Sequence, residues 1–223
     1  MSAPVRVVLV DDHRVVRQAL RTYLESFAGF EVSGEASSGE ELLERVAGWR
    51  PDVVVVDLVM PGGMDGVQAA AGVAERSPAT RVVVLSAHGD EARLAGALRA
   101  GACGYVRKDS APEVFLAAVR GAARGQTVID PGLAAALAGL AGGGPAADEL
   151  TAREREVLRE LARGRTNREI AADLGVTPET VKTHVASILA KLGLRHRTEA
   201  AVWALKTGLV VLEELELSSR AEL

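Results

Sequence analysis

Cysteine is almost absent: the 223-residue chain has one, Cys103. A lone cysteine closes no internal disulfide, and no cysteine pair offers a structural zinc site. Aromatic residues make up only 3% of the chain, so any core must be built from aliphatic side chains. Long apolar runs are missing as well. None approaches the roughly 18 residues that a membrane span requires. The opening stretch, MSAPVRVVLVDDHR, has no signal-peptide layout, because its apolar run is short and ends in acid. These absences point to a reducing, cytoplasmic protein with no membrane partner. What is abundant is small and aliphatic. Apolar residues make up 48% of the chain, which permits a sizeable core and argues against disorder.

The net charge of −4 is unevenly spread. Residues 1–125 carry 14 Lys/Arg against 16 Asp/Glu, a net −2, whereas residues 150–208 carry 11 against 7, a net +4. The front is acidic and a mildly basic module follows, as expected of a unit that meets a polyanion.

Patterning divides the chain in the same place. Apolar, β-branched runs recur at Val5–Val10, Glu31–Ala36, Val53–Val56, Arg81–Leu85 and Gly104–Val106. Between them lie helical periodicities: Val16, Leu20, Leu24 and Phe27, then about 39–48, 66–76, 91–100 and 111–124. Continuous valine runs mark strands buried on both faces, hence a parallel sheet covered by helices. The expected fold is a five-stranded, doubly wound, flavodoxin-like α/β domain over 1–125. An Ala/Gly/Pro-rich linker follows over 126–147. An all-α domain covers 148–208, and residues 209–223 form a C-terminal tail.

Chemistry concentrates at the strand ends. In such sheets ligands bind beyond the carboxyl ends of the strands, where the strand order switches. Asp11 and Asp12 follow the first strand and Asp57 ends the third, so with order 2-1-3-4-5 their carboxylates share one rim. Three close anions repel one another and call for a cation. Hard oxygen ligands favour Mg²⁺. Ser86 ends the fourth strand and Lys108 follows the fifth. Carboxylate, Mg²⁺, hydroxyl and lysine together make a site for accepting a phosphoryl group.

On VVLVDDH, VVVVDLVMPGGMDG, VVVLSAH and GYVRKD, residues 5–124 resemble the receiver domain of bacterial two-component response regulators. The resemblance implies that Asp57 is the phosphoacceptor. It implies Mg²⁺ held by Asp12 directly, by Asp11 through water, by Asp57, and by the backbone carbonyl of Val59. Ser86 would be the switch hydroxyl, Lys108 the phosphoryl contact and Tyr105 the switch aromatic. One departure stands beside Asp57: Met60-Pro61-Gly62-Gly63-Met64-Asp65-Gly66 carries one glycine more than the family's usual loop.

From Leu150 onward only helical signals occur. Thr151 with Glu154 reads as a capping box. A helix over about 167–174 ends at Gly175. Thr177-Pro178-Glu179 starts another helix, which runs to about Leu192. Val181, Val185, Ile188 and Leu192 form its buried stripe. Opposite lie Thr180, Thr183, Ser187 and Ala190, flanked by Lys182, His184 and Lys191. Small hydroxylic residues permit close approach to a DNA major groove, and lysines neutralise phosphates. The spacing is that of a helix-turn-helix.

The stretch LTAREREVLRELARGRTNREIAADLGVTPETVKTHVASILAKLGLRHRTEAAVWA resembles the LuxR-type DNA-binding domain, and the pairing resembles the NarL/FixJ subfamily. By that resemblance Lys182 and Thr183 meet bases, while Thr180, His184, Lys191, Arg195 and Arg197 sit near phosphates. Ala186 replaces a long polar residue of relatives. The implied function is a phosphorylation-dependent transcriptional regulator. Its partners are a sensor histidine kinase, double-stranded DNA and, once phosphorylated, a second copy. Its own chemistry is limited to self-phosphorylation and self-dephosphorylation. An aspartyl phosphohydrolase is disfavoured because Val59 stands where that superfamily places a second Asp. A dinucleotide fold is disfavoured because the first turn lacks glycines.

Overall fold

The computed structural model describes residues 3–87, 93, 96–97, 100–129, 150–207 and 209–210. The helix expected over 91–100 falls mostly outside these residues. So do His88, nearly all of the expected linker and the tail beyond 210. The chain divides into two compact units, Met1–Val128 and Ile129–Leu223.

The first unit runs β1 (Val5–Val10), α1 (Arg14–Glu25), β2 (Phe30–Ala36), α2 (Gly39–Trp49), β3 (Val53–Asp57), α3 (Gly66–Arg76), β4 (Arg81–Ser86), β5 (Gly104–Arg107), α4 (Pro112–Ala123) and β6 (Val128–Ile129). The sheet order is β2-β1-β3-β4-β5-β6. β1 pairs parallel with β2 and β3, and β4 pairs parallel with β3 and β5. Val53, Val54, Val55 and Val56 are all buried. β-Branched side chains are stiff at χ1 and pack well on a pleated surface, so valine fits a strand covered on both sides. Burial of each such side chain contributes about 1.5–3 kcal/mol. β5 approaches β4 closely at Gly104, where a Cβ would stand 2.9 Å from Val83 Cγ2. Phe115, Leu116 and Val119 of α4 pack into the core that holds Val55, Val83 and Val106.

The sheet has one strand more than expected. Gly125, at φ +78°, turns the chain after α4. Val128 then donates its N–H to the Cys103 carbonyl at 3.0 Å. A two-residue strand is too short to leave a periodic signal, so the sequence reading assigned it to the linker.

The second unit holds α5 (Ala152–Ala162), α6 (Asn167–Leu174), α7 (Pro178–Leu192) and α8 (Arg197–Lys206). Thr151 and Thr166 head capping boxes with Glu154 and Glu169, and Thr177 caps α7 ahead of Pro178. Gly175, at φ +65°, closes α6 and turns the chain into α7. The core is aliphatic: Val157, Leu158, Leu161, Ile170, Val181 and Ile188 are all fully buried. No helix among the described residues is long and apolar enough to cross a membrane.

Candidate functional site

β1 and β3 are neighbours, with Val10 opposite Val56. Asp11 is the next residue after β1 and Asp57 is the last of β3, so both carboxylates emerge on one rim. Both are buried, at 1% and 4% exposure. Lys108 reaches them from the turn after β5. Its Nζ lies 2.8 Å from Asp11 Oδ2 and 2.8 Å from Asp57 Oδ2. The Lys108 N–H also donates to the Ser86 carbonyl at 2.7 Å, which fixes the turn to the end of β4. Ser86 is 1% exposed and Tyr105 is fully buried. Val59 sits at the same rim, its N–H 3.4 Å from Asp57 Oδ1.

The electrostatics are those of an anionic pocket short of positive charge. Burial pushes the Asp57 carboxyl above its ordinary value, and the neighbouring Asp11 charge adds to this. Hydrogen bonding and charge from Lys108, and the Val59 N–H, act against it without reversing the direction. Burial pulls the Lys108 ammonium down, but its bonds to Asp11 and Asp57 outweigh that and leave its value raised. One lysine thus serves two carboxylates. Asp12 stands beside them, and one ligand atom each from Asp11, Asp12, His13 and Asp57 fall within 4.8 Å of one another. This is the only such metal-capable group among the described residues. A divalent cation suits it on charge and on the hardness of the oxygens. His13 was not singled out in the sequence, although it adjoins both acids. Its Nδ1 lies 2.9 Å from Asp12 Oδ1 and 3.2 Å from Asp11 Oδ1.

The second unit separates the expected DNA contacts into two groups. Thr180, Lys182, Thr183 and Arg195 are exposed, and His184 is half-buried. Within that group Thr183 donates its hydroxyl to the Glu179 carbonyl at 3.0 Å, and Thr180 and Thr177 share a 2.8 Å hydroxyl contact. Ser187, Lys191 and Arg197 are engaged inside the unit. Ser187 Oγ donates to Glu154 Oε1 and Lys191 Nζ to Glu154 Oε2, both at 2.6 Å. Arg197 donates to the Arg165 carbonyl at 2.7 Å and to Asn167 Oδ1 at 3.2 Å. Glu154 was read from the sequence only as a cap. It is 4% exposed, and its second task follows from the approach of α5 to α7.

A doubly wound sheet with an acid–lysine rim, followed by a capped helix-turn-helix unit, defines a response regulator. Residues 7–120 match the response regulator receiver domain, and residues 148–204 match the luxR family of bacterial regulatory proteins. The chain belongs to the response-regulator family and is a transcriptional regulator of that family's LuxR-type branch. It is 38% identical over 210 residues to the transcriptional regulatory protein LiaR of Bacillus subtilis (strain 168), covering 92% of this chain and 99% of that one. It is 41% identical over 208 residues to the probable transcriptional regulatory protein NarL of Mycobacterium tuberculosis (strain ATCC 25618 / H37Rv), covering 92% and 96%. A solved structure of two RcsB dimers bound to two parallel DNAs aligns with TM-score 0.57 at 25% identity, over 93% of this chain and 100% of that one.

Proposed function

We propose that Asp57 accepts a phosphoryl group from a sensor kinase histidine and that the modified chain binds DNA as a homodimer. The observation that carries this is the Lys108 ammonium held 2.8 Å from both Asp11 and Asp57. One Asp57 oxygen attacks phosphorus, the bond from phosphorus to the kinase imidazole nitrogen breaks, and an acyl phosphate forms. Hydrolysis by water later returns inorganic phosphate and the free carboxylate. Asp11, Asp12, Asp57 and the Val59 carbonyl would hold Mg²⁺, which supplies positive charge to the transferring oxygens. Lys108 binds a phosphoryl oxygen, and Ser86 donates its hydroxyl to another. Tyr105, packed on the neighbouring strand, reports the Ser86 position to the surface of the receiver.

Residues 1–125 serve as receiver and 148–208 as DNA-binding domain. The linker of 126–147 gives its first residues to the sheet, and 209–223 form the tail. Thr180, Lys182, Thr183, His184 and Arg195, with Ser187, Lys191 and Arg197 beside them, face the duplex, and paired modules read half-sites about 10 base pairs apart. The RcsB dimers on DNA support this reading by likeness. Phosphorylation must stabilise the DNA-binding form differentially, since equal stabilisation shifts nothing. Footprinting on genomic DNA, with and without acetyl phosphate, tests the proposal. Protection should strengthen with phosphorylation, alongside a dimer in sedimentation. Identical footprints in both states would mean a regulator that works by protein contacts alone.

Two further outcomes are expected. At Mg²⁺ a hundredfold above its Kd, the receiver gains about 2.7 kcal/mol, a rise in Tm of roughly 10 °C. Asp12→Asn should lose most of that rise in calorimetry. Lys182→Ala should relax preference at one base position, since that lysine is placed against bases. Uniform weakening across all DNA sequences, with a salt slope lower by about 1, would assign it to phosphate instead.

A further inference from the structure

The additional glycine beside Asp57 is not loose. Gly62-Gly63-Met64 lies against the start of α2, and the two segments interlock. The Glu40 carboxylate, in the first turn of α2, accepts the Met64 backbone N–H at 2.7 Å. Gly63 packs under the same carboxylate, where a Cβ would stand 2.6 Å from Glu40 Oε1. In the other direction, Met64 covers Gly39, where a Cβ would lie 2.8 Å from Met64 Sδ. The far end of the loop is fixed to the site itself. Gly66 donates its N–H to the Leu58 carbonyl at 3.1 Å. A Cβ on Gly66 would stand 2.3 Å from the Asp57 carbonyl oxygen. The loop from Asp57 to Gly66 therefore has two anchors, one on the β3 backbone and one on α2.

We propose that Glu40 is a positioning residue: its carboxylate latches the lengthened Met60–Asp65 loop to α2 and thereby sets where Val59 stands beside Asp57. The inference rests on the reading of Asp57 as phosphoacceptor and of Val59 as a backbone ligand. Glu40 touches neither the metal nor the phosphoryl group. It acts because a loop with one more residue has more conformations to lose, and a charge-assisted hydrogen bond at its apex removes many of them. Gly63 leaves room for the Glu40 carboxylate, and its own backbone needs no glycine, since it is not among the residues with positive φ; a Cβ there would push the carboxylate off Met64. Alanine at 63 is then tolerated wherever the carboxylate is gone.

The test is a double-mutant cycle on the full chain with Glu40→Ala, Gly63→Ala and both together, plus Glu40→Gln. Mg²⁺ affinity is read by calorimetry, acetyl phosphate labelling by rate, and folding by Tm. Glu40→Ala should weaken Mg²⁺ binding and slow labelling by about 3–10-fold, the range of one lost hydrogen bond, with Tm lower by only a few degrees. Glu40→Gln keeps an acceptor oxygen but loses the charge, and should fall between Glu40→Ala and wild type. Gly63→Ala should be impaired alone and cost nothing further in the Glu40→Ala background, a coupling between neighbours that independent sites lack. Unchanged affinity and rate in Glu40→Ala overturn the latch. So does a fall in Tm with affinity and rate untouched. Wild type that takes no label at all overturns the phosphoacceptor reading instead, which keeps the two failures apart.

Discussion

Asp57→Asn loses phosphoryl uptake from acetyl phosphate by roughly a thousandfold or more, because the amide lacks the nucleophilic oxygen, and it keeps its fold. The second half follows from the charge state of the pocket. An acid whose value is raised on folding favours the folded chain in its neutral form. For Asp57 the cost of the ionised group is absent below the unfolded value of 3.8, grows as pH rises toward the raised folded value, and is fully present above it. At neutral pH the wild type carries that cost and the isosteric amide does not. Lys108 loses one partner but keeps Asp11 at 2.8 Å, so no buried ammonium is stranded. The variant should therefore melt at or above the wild-type temperature in metal-free buffer, and a missing label then reports chemistry and not unfolding. Phosphate-affinity electrophoresis with parallel calorimetry checks both halves. A label persisting in Asp57→Asn at the wild-type rate rules out Asp57 as the acceptor. A large drop in Tm would show that Lys108 depends on Asp57 more than the paired geometry implies.

The receiver was legible because its signals are local. Val53–Val56 is one uninterrupted apolar run, and a run buried on both faces looks the same whichever strands flank it. Asp57 could be located because the apolar run ends on it, at the carboxyl end of the strand. The caps at Thr151 and Thr177 are likewise written within three residues of each helix start, whereas the same signal at Thr166 went unread. What escaped is what depends on tertiary approach. Val128–Ile129 joins the sheet only because Gly125 turns it toward Cys103. Lys108 lies as close to Asp11 as to Asp57, a shared contact that no linear spacing reveals. The internal partners of Ser187, Lys191 and Arg197 escaped too, because residues that share helices with exposed polar ones carry no local sign of them. The brace at Arg197 spans about thirty residues to Arg165 and Asn167.

Glu154→Ala is expected to destabilise the DNA-binding unit by about 2–4 kcal/mol, through loss of a cap and of buried charge-assisted hydrogen bonds. The carboxylate receives the Thr151 N–H at 2.8 Å, the Ser187 hydroxyl and the Lys191 ammonium. Bonds to Lys191 and Ser187, with the Thr151 contacts, hold its pKa down at about 2, against an ordinary 4.5. A depressed acid contributes stability that is fully present above 4.5 and is lost as pH falls from there through about 2. The shift corresponds to at most about 3 kcal/mol. Lys191 is one-third exposed, and solvent screening brings the contribution nearer to about 2 kcal/mol. Wild type should thus lose protection of the α5 and α7 amides across that pH window, whereas Glu154→Gln should start lower at neutral pH and change less through it. Hydrogen exchange on the full chain reads both, since it reports the two units separately. The substitution also frees Lys191 from an internal anion. If that lysine is held back from DNA by Glu154, non-specific affinity at low salt should rise in Glu154→Gln even as the unit becomes less stable. If the bridge instead aims α7 into the groove, affinity should fall together with stability. Equal exchange in wild type and Glu154→Gln at neutral pH would remove the carboxylate from the account of the fold altogether.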